Sequence, residues 1–220
     1  MRTSRTSTNT KVTVGLLTVV LAGLVGLFVY VQSVSSAGQQ VPAERLVSAG
    51  SQRLTEAADG RVTVVEFLDY ECPACAAAFP GVEQLRGEYD GQITYVVRNF
   101  PLSMHPNART AALAAEAAAR QGKFEEMYIA LFQNQNAWSG QQQDQSAVFE
   151  GYAEQIGLDI ATFRSDMADP GLVDRVQADV DDGTAVGVSG TPTFFVNGER
   201  FEGQPTYANL KAAVEAALAE

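Results

Sequence analysis

The stretch VTVVEFLDYECPAC, residues 62–75, decides how the chain is read. Its first seven residues, Val62–Leu68, are apolar and mostly β-branched apart from Glu66, the pattern of a strand buried on both faces. Two cysteines, Cys72 and Cys75, follow around Pro73-Ala74, and an alanine-rich helical pattern runs on from Ala76 to Tyr89. Pro80 falls inside that pattern and is expected to kink it. Asp90-Gly91 signals a turn and Ile93–Arg98 (ITYVVR) a second strand, so the stretch predicts a right-handed parallel β–α–β unit.

A cysteine placed where a buried strand ends and a helix begins is poised to react. Free backbone N–H groups and the positive end of the helix dipole stabilise a thiolate at Cys72 and lower its pKa. Pro73, in the first turn, sacrifices no hydrogen bond and stiffens the loop. Cys75 lies one turn on, on the same face, and can close a disulfide with Cys72. The expected chemistry is attack on a substrate disulfide by an exposed Cys72, then resolution by a shielded Cys75. A purely structural disulfide is the competing reading, but closing so short a loop contributes only about 2 kcal/mol in the chain-entropy model. Two Cys and one His fall short of a tetrahedral zinc site unless carboxylates complete it. No cofactor is implied.

Outward from this unit the chain turns helical. Pro106 suits a helix start, Ala108–Arg120 holds eight alanines, and Lys123–Asn134 is amphipathic. The Gln-rich segment Asn134–Gln145 reads as a polar loop, and Ser146–Ile156, Asp159–Ala168 and Leu172–Ala185 as further helices. Thr193–Val196, Asn197-Gly198 and Glu199–Phe201 form a hairpin signal, and Thr206 can cap a last helix, Tyr207–Ala219. His105, the only histidine, is expected at the helix entry as a local structural contact.

With 15 Lys+Arg against 26 Asp+Glu, the 220-residue chain carries a net charge of −11. The imbalance is steeper after residue 43, where 12 basic face 26 acidic residues. Such a surface repels phosphate backbones, which excludes nucleic acid as a partner. The basic residues Arg2, Arg5 and Lys11 instead precede Val12–Val31, twenty residues without a charge and long enough to cross a bilayer. This predicts a short cytoplasmic N-terminus (1–11), a transmembrane anchor (12–31), a tether and entry segment (32–60) with a short helix at Ala43–Leu46, and an extracytoplasmic domain (61–220). The alternative is a signal peptide cleaved near Ala37, giving a secreted protein.

The run from Val65 to Cys75, together with Gly190-Thr-Pro-Thr-Phe194 far along the chain, resembles the DsbA-like thioredoxin-fold thiol–disulfide oxidoreductases, in their membrane-anchored branch. The resemblance covers about Arg61 to the end. It implies an α/β thioredoxin-like fold, an all-helical block inserted at about 105–186, and a transmembrane helix ahead of the domain. It also implies that Pro192 is a cis-proline beside the active-site disulfide. Thr191 would then pair through its backbone with an extended substrate. Glu66 matches the family's buried acid, able to accept the proton of Cys75 during resolution. The implied partners are exported cysteine-containing polypeptides and a membrane redox partner that re-oxidises the site, and the implied state is a monomer. The family's best-known members carry an imidazole between their cysteines. Pro73-Ala74 offers none, so the direction of electron flow stays open between an oxidase and a reductase or isomerase kept reduced by a membrane donor. A non-redox chaperone or binding module is the reading from another class.

Overall fold

The computed structural model describes residues 41–58 and 60–220. The expected cytoplasmic N-terminus, transmembrane span and cleavage site near Ala37 all lie outside the described residues. Among the described residues, no helix is long and apolar enough to cross a membrane.

The predicted unit is present: β2 (Thr63–Leu68) leads through a tight turn into α2 (Pro73–Glu88), and the chain returns as β3 (Thr94–Asn99), parallel to β2. Helix α2 runs on through Pro80, although that residue offers no N–H to the turn before it. An all-helical block follows: α3 (Ala108–Arg120), α4 (Phe124–Gln133), α5 (Gln135–Trp138), α6 (Ser146–Gln155), α7 (Ile160–Met167) and α8 (Pro170–Ala185). The hairpin of β4 (Thr193–Val196) and β5 (Glu199–Arg200) turns at Asn197 and Gly198, both with positive φ, where asparagine and glycine are least strained. Helix α9 (Tyr207–Leu218) is capped as expected, Thr206 Oγ1 accepting from the Asn209 N–H.

Within the expected tether and entry segment (32–60), the short helix expected at Ala43–Leu46 is present as α1 and packs on α8. Beyond it β1 (Gln52–Thr55), which the sequence did not announce, joins the sheet antiparallel to β3. The compact unit begins at Val41. The strand order is β1-β3-β2-β4-β5, with β4 antiparallel to β2. A single Arg98 explains why this segment is captured. Its buried guanidinium donates to the carbonyls of Arg45 (2.9 Å) and Leu46 (2.7 Å), and pairs with Asp179 and Asp182 of α8. A charge taken so far from water is tolerated only with partners on all sides, and the backbone of α1 supplies two of them. Gln52 extends the network, donating to Glu116 of α3 at 2.8 Å.

The sheet divides the interior by strand parity. Val65 and Phe67 face a smaller cluster with Leu46, Val96, Phe100, Val188 and Phe195. Val64 and Leu68 face the larger core with Tyr95, Val97 and the apolar sides of α2 to α9. Glu66, between them in sequence, points into the larger core and is 3% exposed. Its strand neighbours are Val97 on β3 and Phe194 on β4.

Candidate active site

Three peptide segments meet at the N-terminus of α2. The first is the turn Asp69–Glu71, a sharp reversal fixed by its own polar groups. Asp69 Oδ1 accepts from the Glu71 N–H (2.8 Å), and the Asp69 carbonyl accepts from the Cys72 N–H (3.1 Å). The second is the loop Gly190–Thr193, with Thr191-Pro192 in the cis form that the resemblance implied. The third is the helical block, which reaches the turn through α5 and the loop 100–107.

Cys72 stands at the N-cap of α2 with extended backbone angles, Pro73 following in the first helical turn. Both thiols are free. The expected contrast between an exposed Cys72 and a shielded Cys75 is weak in area, 6% against 1%. It is strong in proton affinity. Cys72 is held far below the ordinary thiol value of 9.0, at about 5, first by the hydrogen bond from the Cys75 thiol. Contact with Thr191 and the N–H groups of Cys75 and Ala74 add to the effect, against an opposing cost of burial. Cys75 is pushed well above 9.0, first by burial, then by its hydrogen bond to Cys72 and the nearby charge of Glu66. The pair is thus one acidic and one very weakly acidic thiol, joined by one hydrogen bond.

Glu66 lies behind Cys75. Burial lifts its carboxyl from 4.5 to about 7, and Glu83 pushes the same way. The Tyr95 hydroxyl, donating at 2.6 Å, and the Arg86 charge both oppose the rise. Tyr95 was not singled out from the sequence, where it is one aromatic in an apolar strand. Thr191 sits opposite Cys72, its carbonyl accepting from Cys72 Sγ at 3.4 Å. Beside Pro192 opens a cleft of about 180 Å³, bounded by Phe194, Phe201, Arg200 and Pro205. Cys72, Cys75, Thr191 and Pro192 therefore converge, with Glu66 one layer deeper.

His105 is the structural contact that was expected, and it touches the turn that leads into Cys72. Its Nδ1 lies 2.6 Å from Asp69 Oδ2, which also accepts from the Leu102 N–H at 2.9 Å. Burial raises the Asp69 carboxyl above its ordinary 3.8, and these hydrogen bonds hold it back. Glu71 likewise accepts from the N–H groups of Asn107 (2.6 Å) and Gly140 (2.8 Å). Gln135, also missed, lay in a Gln-rich run read as a loop. The signal that could have revealed it was Trp138, an aromatic that a solvated loop would not retain and that is fully buried.

Fold and paired cysteines together are of the thioredoxin-like type. Residues 51–216 match the family described as thioredoxin, and the chain belongs to that family. Its structure is similar to a thioredoxin-like oxidoreductase from Silicibacter pomeroyi DSS-3, with a TM-score of 0.69 at 29% identity over 82% of this chain and 99% of that one. It shares its fold with alpha-DsbA1 of Wolbachia pipientis, with a TM-score of 0.70 at 17% identity over 79% and 94% of the two chains. A curated relative named Na(+)/H(+) antiporter NhaA 3, from Salinispora tropica, is 45% identical over 159 residues. That match takes in 72% of this chain and 23% of the relative, so the chain spans about a quarter of that relative's length.

The unequal thiols set a pH dependence. Because the folded Cys72 value lies below its ordinary 9.0, ionisation favours the folded dithiol. This contribution is complete above pH 9 and is lost as pH falls through about 5. Cys75, displaced upward, subtracts stability only as pH rises past 9. Glu66 subtracts between 4.5 and about 7 in both redox forms, so it largely cancels when they are compared. The Tm of the reduced form should therefore gain on that of the oxidised form between pH 5 and 9 and stay level below 5. A Tm difference that ignores pH would contradict the Cys72 assignment.

Proposed function

We propose that the protein is an extracytoplasmic oxidase that donates a Cys72–Cys75 disulfide to exported polypeptides. The observation that carries this reading is the low proton affinity of Cys72, because a disulfide is oxidising to the extent that its reduced form is stabilised.

In the proposed cycle a substrate thiolate attacks Cys72 Sγ, breaking the Cys72–Cys75 bond and expelling Cys75. That sulfur takes a proton from the Glu66 carboxyl. A second substrate thiolate then attacks the substrate sulfur of the mixed disulfide. The substrate leaves with its disulfide, and Cys72 leaves as the thiolate its surroundings favour. The two electrons now held by the dithiol pass to a membrane redox partner. Thr191 and Pro192 face Cys72 and are proposed to receive the substrate as an added strand. Run backwards, Cys75 resolves the mixed disulfide and returns its proton to Glu66. The domain is placed outside the cytoplasm on the 12–31 anchor, with 1–11 inside, and acts as a monomer.

In cells Cys75→Ser should accumulate mixed disulfides with exported proteins while Cys72→Ser should not, and the wild-type pair should be found oxidised. A wild-type pair found as a dithiol would turn the reading to a reductase, and the reverse trapping pattern would overturn the roles of the two sulfurs.

Glu66 has its own signature. Resolution of a mixed disulfide by Cys75 should speed up as pH rises through about 7, where Glu66 becomes a base. Glu66→Gln should remove that inflection and slow the step by roughly 10²-fold. Tyr95→Phe should move the inflection upward, because the lost hydrogen bond favoured the carboxylate. A wild-type profile flat through pH 7 would remove Glu66 from the mechanism.

A further inference from the structure

Among the contacts that hold the turn before Cys72 from the helical block, one side-chain amide reaches the Cys72 backbone itself. Gln135 opens the one-turn helix α5, inside the inserted helical block, and is 6% exposed. Its Nε2 donates to the carbonyl of Tyr70 at 2.8 Å and to that of Cys72 at 3.0 Å. The remaining contacts of α5 hold this amide in place. Trp138 is buried edge-on against Phe149, their rings 4.9 Å apart, and its Nε1 donates to the Leu131 carbonyl at 3.2 Å. Next to it, Ser139 Oγ donates to the Glu71 carbonyl at 3.3 Å.

We propose that Gln135 is a positioning residue for Cys72, through which the helical block sets the readiness of that sulfur to react. The argument is electrostatic and geometric. The carbonyls of Tyr70 and Cys72 carry negative partial charge in the same short turn that presents N–H groups to the sulfur. A donor on both oxygens draws that charge away from Sγ and fixes the two peptide planes. The Cys72 carbonyl already accepts from the Ala76 N–H within α2, at 3.1 Å. Gln135 is the second donor to that oxygen and comes from an element 63 residues away in sequence. Fixed planes keep the N–H groups of Ala74 and Cys75 aimed at Sγ, where a thiolate needs them. The neighbouring carboxylates of Asp69 and Glu71 orient the turn by accepting backbone N–H groups. Neither supplies a donor to the Cys72 carbonyl.

The inference rests on the redox reading of the cysteine pair, and the test separates the two. Gln135→Met keeps the length of the side chain and removes both donors, while Gln135→Asn keeps the amide but falls one methylene short. In the full-length chain, thiolate absorbance against pH would be followed together with the Tm of the reduced and oxidised forms. Gln135→Met should raise the proton affinity of Cys72 by about tenfold, with a smaller rise for Gln135→Asn, and should lower the Tm of the reduced form more than that of the oxidised form. Should the Met variant fail to fold, the Asn variant carries the comparison. An unmoved Cys72 titration, with an equal loss of Tm in both redox forms, would leave Gln135 as packing and overturn the proposal. A wild-type chain unable to reduce insulin would instead refute the redox reading.

Discussion

The chemistry proposed for this protein turns on two neighbouring sulfurs of unequal acidity at the N-terminus of α2. Cys72 can remain a thiolate because the N-terminus of α2 and the Cys75 thiol both donate to it. Cys75 can remain a thiol because it is buried beside an acid that repels a second negative charge. Together they give one acidic and one very weakly acidic thiol, the inequality on which the proposed roles of nucleophile and resolver rest.

That arrangement needs many polar groups in places where water cannot reach. Glu66, Asp69, Glu71, Arg98, Asn99, Glu116, Gln135 and Asp179 are all buried. Each such group costs stability unless it is partnered, and a partial network is worse than none. Here the partners come mostly from distant segments, so the same bonds that satisfy the groups also join the pieces. Asp69 and Glu71 fasten the turn before Cys72 to the loop 100–107 and to Gly140. Arg98 fastens α1 to the sheet and to α8. Apolar packing alone would bury the same surface without fixing the turn to this degree, which gives the helical block a role beyond bulk.

Most of the fold was legible because its signals are local. The run Val62–Leu68, the Cys-Pro-Ala-Cys spacing, the Asn197-Gly198 turn and the Thr206 cap each state their own conformation, and the structure has all four. Strand β1 was not legible because it is half-exposed and short, and what holds it in the sheet is the pairing with β3 together with Gln52 and Glu116 across the fold. Helix α5 escaped for a related reason: it is a single turn in a polar, Gln-rich run, and its Trp138 is buried by partners from α4 and α6. At the site, the cysteines could be named from their spacing, and Thr191, Pro192 and Glu66 from the family resemblance. Tyr95 and Gln135 could not, since each matters only through an atom of another segment. The weak exposure contrast between Cys72 and Cys75 was also invisible, because the loop that covers Cys72 arrives from residue 191.

The central claim is that this geometry stabilises the dithiol enough to make the disulfide a donor. It is tested most directly by equilibrating the Cys72/Cys75 couple with glutathione buffers of known ratio. The account predicts a potential between about −120 and −230 mV, in the range of disulfide-forming catalysts. A potential near −270 mV, the value of a thioredoxin-type reductant, would contradict it.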